Sequence, residues 1–171
     1  DNKAKKSMRL TAEIAEILGM HAGDGHLRRR GNEFEMSGDR EEKEYYDEHV
    51  IPLFEKTFFV KIRGRHFPTK GTYGFTKSSK NIRETLLKAG FTPGAKSTTV
   101  RAPKAILQTT NPNIRRGFLR GIFDTDGCVR FDRNSECSNE FKKKYHFYPR
   151  VLHSTVSKPL HEDLKRLLDK E

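Results

Sequence analysis

The sequence predicts an α+β fold of two pseudo-symmetric halves that meet along a pair of matched helices. Three observations predict it. Ile17-Leu18-Gly19-Met20-His21-Ala22-Gly23-Asp24-Gly25 and Phe118-Leu119-Arg120-Gly121-Ile122-Phe123-Asp124-Thr125-Asp126-Gly127 are both apolar runs with small residues four apart, and both close on Asp-Gly. Asp126 follows Asp24 by 102 residues, about the size of one small domain. After each run, alternating stretches bounded by turn residues read as strand pairs, and segments with apolar residues every three or four read as helices.

The first motif helix starts at Thr11, a good N-cap, and carries Ile14, Ile17, Leu18 and Ala22 on its apolar side. Residues 1–9 before it are a basic, polar lead-in without an initiator Met, as in a trimmed start or a stretch of a longer product. His21 is expected at the helix interface rather than on a metal. Gly25 stands where a left-handed residue would end the helix, and Asn113 and Gly127 are the cap and stop expected for the second motif helix. Asp24 and Asp126 then sit at helix C-termini, where the macrodipole is negative and a carboxylate is disfavoured. Close packing through Gly19/Gly23 and Gly121/Thr125 would bring the two acids together. Such a site raises a pKa or holds a cation, and hard oxygen donors suit Mg²⁺ or Mn²⁺. One Asp-Gly is an ordinary turn; two at domain spacing form a repeated site.

A hairpin is expected over 26–30 and 33–37, turning at Gly31-Asn32. Leu27, Phe34 and Met36 would face the core, and His26, Arg28, Arg30, Glu33, Glu35 and Ser37 the other side. Asp39 and Glu42 form a capping box for a helix with Tyr46, Val50, Leu53 and Phe54 inward, kinked or ended at Pro52. Over 60–65, Lys61, Arg63 and Arg65 alternate, giving one positive strand face, paired with 72–77 across the loop 68–71. Ser78 or Ser79 caps the next helix, with Ile82, Leu86 and Leu87 inward and Gly90 as its stop. Residues 1–92 are the first half, 93–112 a linker and 113–171 the second half. Pro93-Gly94 with Lys96, Arg101 and Lys104 makes the linker a strap across the surface. In the second half, 128–133 reads as a strand with Val129 and Phe131 inward and Arg130 outward. A loop over 134–145 with Lys142-Lys143-Lys144, a partner strand over 147–155 and a final helix follow. Ser157 caps that helix, with Leu160, Leu164, Leu167 and Leu168 inward. Only 45 residues follow Asp126, against roughly 70 from Asp24 to the linker, so the second half is short.

The two runs resemble the paired motifs of the LAGLIDADG homing endonucleases. Gly121, Asp124, Asp126 and Gly127 stand in the expected order. The first copy departs from the pattern at Ala22, where an Asp is common, and at Gly23, where an Ala is common; its Gly-Asp-Gly ending is a variant the family uses. The resemblance implies αββαββα halves with the motif helices at their interface and antiparallel sheets forming a DNA-binding saddle. By that pattern the second half lacks its last two strands and helix. The resemblance further implies that Asp24 and Asp126, with the carbonyls of Gly23 and Thr125, ligate catalytic divalent metal. Lys77 and Lys80, with Ser37 and Thr155 at matching strand ends, are the candidates for polar groups around the metals. Base readout is expected from His26, Arg28, Arg30, Glu33, Glu35, Ser37, Lys61, Arg63, Arg65, Arg130, His153 and Thr155, where Arg favours guanine.

Composition agrees with a nucleic-acid partner. Lys plus Arg outnumber Asp plus Glu by 34 to 23, a net charge of +11. No apolar run approaches the ~20 residues of a membrane span, and no signal peptide precedes the first helix. Cys128 and Cys137 make no disulfide framework, and with His146 and His153 they lack the paired spacing of a zinc site. The expected protein is a monomer with two internal halves, cytoplasmic or nucleoid-associated. It would hydrolyse phosphodiesters of double-stranded DNA with Mg²⁺ or Mn²⁺ and originate in an intron, an intein or a free gene. The alternative is a non-cleaving binder, an intron RNA maturase or a DNA-binding regulator, on the same fold.

Overall fold

A computed structural model describes residues 9–133 and 147–171. The lead-in up to residue 8, the lysine-bearing loop 134–145, Cys137 and His146 lie outside the described residues, as does the side chain of Phe131. Helix α1 (Ala12–Ala22) opens on the Thr11 hydroxyl, which accepts from the Ile14 N–H at 3.2 Å, and buries Ala15, Ile17, Leu18, Met20 and Ala22. It ends on Gly23 at φ −76°, and neither Gly25 nor Gly127 is left-handed. Their glycines answer to crowding instead: a Cβ on Gly25 would overlap the His21 ring, and one on Gly127 the Phe123 carbonyl.

Strands β1 (Gly25–Leu27) and β2 (Glu33–Asp39) pair antiparallel, with Leu27, Phe34 and Met36 buried. The strand expected over 26–30 stops at Leu27; Arg28, Arg29 and Arg30 belong to the connection, which turns at left-handed Gly31. Asp39 accepts from the Glu41 N–H at 2.9 Å and opens a single 3₁₀ turn, Arg40–Glu42. From there α2 (Lys43–Tyr45), a π-helical turn Tyr46–Val50 and α3 (Ile51–Phe58) run on continuously. Pro52 does not end this helix. It lacks the N–H that a continuing helix would use, and the π turn immediately before α3 takes up the irregularity.

The basic row over 60–65 is a strand only at its end. Strand β3 (Arg65–Phe67) pairs with β4 (Thr72–Ser78), and Lys61 and Arg63 precede the ladder. Strand β4 also pairs with β2, so the sheet order is β1-β2-β4-β3. Helix α4 (Lys80–Ala89) is capped by Ser79 and closed by left-handed Gly90; it buries Ile82 and Leu86, while Leu87 faces solvent. The strap carries α5 (Lys104–Gln108) and buries Val100, Ala102 and Ile106, with Phe91 buried just before it.

Helix α6 (Pro112–Asp126) is capped by Asn111, not Asn113: the Asn111 side chain accepts from the Asn113 N–H at 3.0 Å, and Pro112 fills the first turn. Strands β5 (Gly127–Arg133) and β6 (Phe147–His153) form a separate two-stranded sheet. Val129 and Val151, paired across it, are exposed, so Val129 is not a core residue. Helix α7 (Lys158–Leu168) starts on Ser157 and buries Leu160, Leu164 and Leu167, with Leu168 outside. Fully buried Asp163 ties α7 to the strap, accepting from the Arg101 guanidinium at 3.0 and 3.1 Å and from the Ala102 N–H at 3.2 Å.

Candidate functional site

Helices α1 and α6 run side by side because, where they come closest, a glycine of one meets the main chain of the other. A Cβ on Gly117 would lie 2.5 Å from the Ala12 carbonyl oxygen; on Gly19 it would overlap the Phe118 carbonyl and on Gly121 the Glu16 carbonyl. Main chain therefore meets main chain along both helices. The last crossing is at the acids: a Cβ on Gly23 would overlap the Thr125 hydroxyl and lie 3.1 Å from Asp126 Oδ2. Glu16 reinforces the pair, its buried carboxylate meeting Arg120 of α6 at 3.3 Å and His49 of the π turn at 2.6 Å. The Thr125 hydroxyl donates back to the Gly121 or Ile122 carbonyl, at 3.1 and 3.2 Å.

Asp24 is half-buried at the end of α1. Burial pushes its carboxyl from 3.8 up to about 7, the Asp126 and Glu42 charges add to the rise, and Lys96 and the Tyr46 hydroxyl oppose it. Tyr46 lies against the carboxylate without completing a hydrogen bond. Glu42 faces it across Gly38, where a Cβ would overlap Glu42 and lie 3.2 Å from Asp24 Oδ2. The Asp126 carboxyl is also raised, by burial, against the pull of His153 and Lys96.

Lys96 is the cation among these groups. It reaches in from the strap and donates Nζ to the carbonyls of Ala22 at 2.8 Å and Gly23 at 2.5 Å, capping the negative pole of α1. Burial lowers its pKa, and Asp126 and Asp24 pull it back up. A cavity of about 420 Å³ opens here, lined by Ala22, Gly23, Lys96, Asp126, Ser154 and Thr155 among others. Sequence reading placed Lys96 only on a basic strap; no local pattern marks a contact that spans more than 70 residues.

Lys77 and Lys80 are elsewhere. Lys77 pairs in register with Phe34, four residues along β2 from Gly38, roughly 13 Å by strand rise, and donates to the Lys61 carbonyl at 2.7 Å. Lys80 is exposed on the first turn of α4, 3.8 Å from Glu84. Thr155 reaches the cavity beside Asp126, with its hydroxyl accepting from the Ser157 N–H at 3.1 Å.

The expected readout residues divide. Cross-strand register builds two rows on the outer sheet face, His26–Glu35–Thr76 and Ser37–Gly74–Arg65. Arg65 donates to the Thr76 hydroxyl at 2.6 Å, and Lys70, not singled out from sequence, pairs with Glu35. Arg28 pairs with Glu33 and Arg30 is exposed in the turn. Lys61, Arg63 and Arg65 line a cleft with Thr76 and Lys77. In the second sheet Arg130 stands opposite Arg150 on one face. His153 is on the other face, with Val129 and Val151: it pairs with Gly127 and its ring meets Phe123 edge-on at 5.5 Å, which puts it beside Asp126.

Residues 113–171 match the model of a family described as the LAGLIDADG-like domain. Over 153 residues the chain is 31% identical to the replication factor C small subunit of Methanocaldococcus jannaschii; the match covers 89% of this chain and only 7% of that protein. Among solved structures it is similar to mesophilic variants of the homing endonuclease I-DmoI, at 19% identity and a TM-score of 0.48 over 75% of this chain and 68% of the other. It is similar also to the homing endonuclease I-LtrWI bound to target DNA, at 12% identity and a TM-score of 0.49 over 81% and 65%.

Proposed function

Since the chain carries a LAGLIDADG-like domain over residues 113–171, we propose that it is a site-specific endonuclease that hydrolyses phosphodiesters of double-stranded DNA with a divalent cation, built as two halves joined by the strap. The observation that carries this reading is the convergence of Asp24 and Asp126 at the ends of two helices in main-chain contact. Two carboxylates held together on negative helix poles are costly unless a cation or a proton compensates them.

The donors fit a hard cation: Asp24, Asp126 and the carbonyls of Gly23 and Thr125 are all oxygen. Bound Mg²⁺ or Mn²⁺ supplies Lewis acidity and a more acidic water. Asp24 and Asp126 would hold the cation, and each must be deprotonated to do so. Lys96 would balance the phosphate charge and, when the Gly23 carbonyl is needed as a ligand, turn its ammonium from that oxygen to the phosphate. The Tyr46 hydroxyl, set against Asp24, would orient its carboxylate. The sheet rows around His26, Ser37 and Arg65 would follow the groove, with +11 net charge drawing in the duplex. The small share of the Methanocaldococcus jannaschii protein that matches fits an origin as a module carried inside a longer product, an intron- or intein-type setting.

Cutting of supercoiled plasmid carrying candidate sites, with Mg²⁺ or Mn²⁺ and with chelator, tests the reading. Cleavage should require the metal and vanish in Asp24→Asn and Asp126→Asn. DNA binding without any metal-dependent cutting would instead identify a non-cleaving binder.

A further inference from the structure

The two hairpins differ at one matched position. Gly25 follows Asp24 and pairs with Met36; Gly127 follows Asp126 and pairs with His153. Met36 is buried in the first core, so the same register position holds an apolar filler beside one acid and an imidazole beside the other. Paired strand residues have their Cα atoms about 4.5–5.5 Å apart, so His153 is held next to the end of α6 by backbone geometry. Phe123 meets its ring edge-on, and its Nε2 is buried with no hydrogen-bond partner among the described residues. A buried imidazole nitrogen left open beside a carboxylate is poorly explained as packing.

We propose that His153 Nε2 is a metal ligand together with Asp126, so that the second acid holds a mixed nitrogen–oxygen site while Asp24 holds an all-oxygen one. The inference rests on the reading of Asp126 as a metal-binding residue and adds a ligand to it. Imidazole favours later transition ions over Mg²⁺, whereas carboxylates and carbonyls alone do not discriminate in that way. The two sites should therefore differ in metal preference: one takes up Co²⁺ or Ni²⁺ well ahead of Mg²⁺, the other less so.

The full chain without DNA is titrated with Co²⁺ and separately with Mg²⁺ by calorimetry, with the visible Co²⁺ spectrum recorded in parallel. His153→Met, which gives the second hairpin the residue the first already carries, is the main variant, and circular dichroism checks its folding. Wild type should show one tighter Co²⁺ site; in H153M that site should weaken about 10–100-fold with a changed spectrum, while Mg²⁺ affinity stays within about twofold. Unchanged Co²⁺ binding and spectrum in H153M, alongside weakened binding in Asp126→Asn, overturns the histidine and leaves the carboxylate reading standing. Unchanged binding in both variants overturns the metal site itself.

Discussion

A carboxyl with a pKa of about 7, against 3.8 for an ordinary Asp, gives Asp24 a signed effect on stability. The folded chain binds that proton more tightly than the unfolded chain. Its contribution is complete below about pH 4 and is lost as pH rises through about 7. His21 acts the other way: burial between Phe34 and Phe91 takes its pKa from 6.5 to about 3, so its contribution is present above pH 6.5 and lost as pH falls. The two slopes oppose each other in the wild type. Asp24→Asn should leave the His21 slope uncovered, and the variant should gain on the wild type between pH 4 and 7 by at most about 1.4 kcal/mol per pH unit, read from urea denaturation without metal. Lys96 makes a second test. Lys96→Met should lower single-turnover cutting by about 10²–10³-fold while gel-shift affinity for DNA changes little. That Asp24 and Asp126 come together was legible from sequence because a costly placement was repeated, and repetition is a local property. Lys96 was not, because its meaning depends on a fold that returns the strap to the end of α1. Neither Lys77 nor Lys80 is brought to the acids: alternation gives the face of β4 that Lys77 is on but not which end of the sheet lies near them, and Lys80 is on the exposed first turn of α4.

At the scale of elements, α1 and α6 are specified by absences. Gly19, Gly117 and Gly121 let main chain touch main chain, and Gly23 leaves room for the Thr125 and Asp126 side chains. Gly121→Ala should cost about 1–3 kcal/mol in urea denaturation, since its Cβ would overlap the Glu16 carbonyl and no flexible side chain can give way. The i, i+4 spacing made this interface readable, although Gly117 extends it one turn beyond what the motif alone marked. The π turn Tyr46–Val50 was not readable. It follows from Pro52 and from the placing of both Tyr46 against Asp24 and His49 on Glu16, which a regular helix would have to rearrange. Leu87 and Leu168 fit the helical period yet face solvent, because periodicity gives a stripe's direction and not its width. Asp163, also invisible from sequence, pins α7 to the strap. Asp163→Ala should destabilise the fold by about 1–3 kcal/mol, because it strips the buried Ala102 N–H and the Arg101 guanidinium of their acceptor.

At the scale of the whole molecule the two sheets are unequal, and under the proposed function that inequality becomes a statement about DNA. The four-stranded sheet presents His26–Glu35–Thr76 and Ser37–Gly74–Arg65 in register on one face, flanked by Lys61, Arg63 and Lys70. The described part of the two-stranded sheet offers Arg130 and Arg150 on its corresponding face. Hydrogen bonds to base edges carry sequence information, whereas charge alone carries affinity. A wide sheet rich in mixed polar groups therefore reads more positions than a narrow one with paired arginines. Cleavage selection from a library randomised across the whole site should return strong base preferences on the side covered by the first sheet and weak ones on the other. Arg65→Ala should relax preference at one or two positions on the strong side, while Arg130→Ala should weaken binding across sequences and reduce the salt slope by about one. Equal information on both sides of the cut would mean that residues outside the described ones complete the second reading surface. In that case the matched rows of the first sheet would no longer account for specificity.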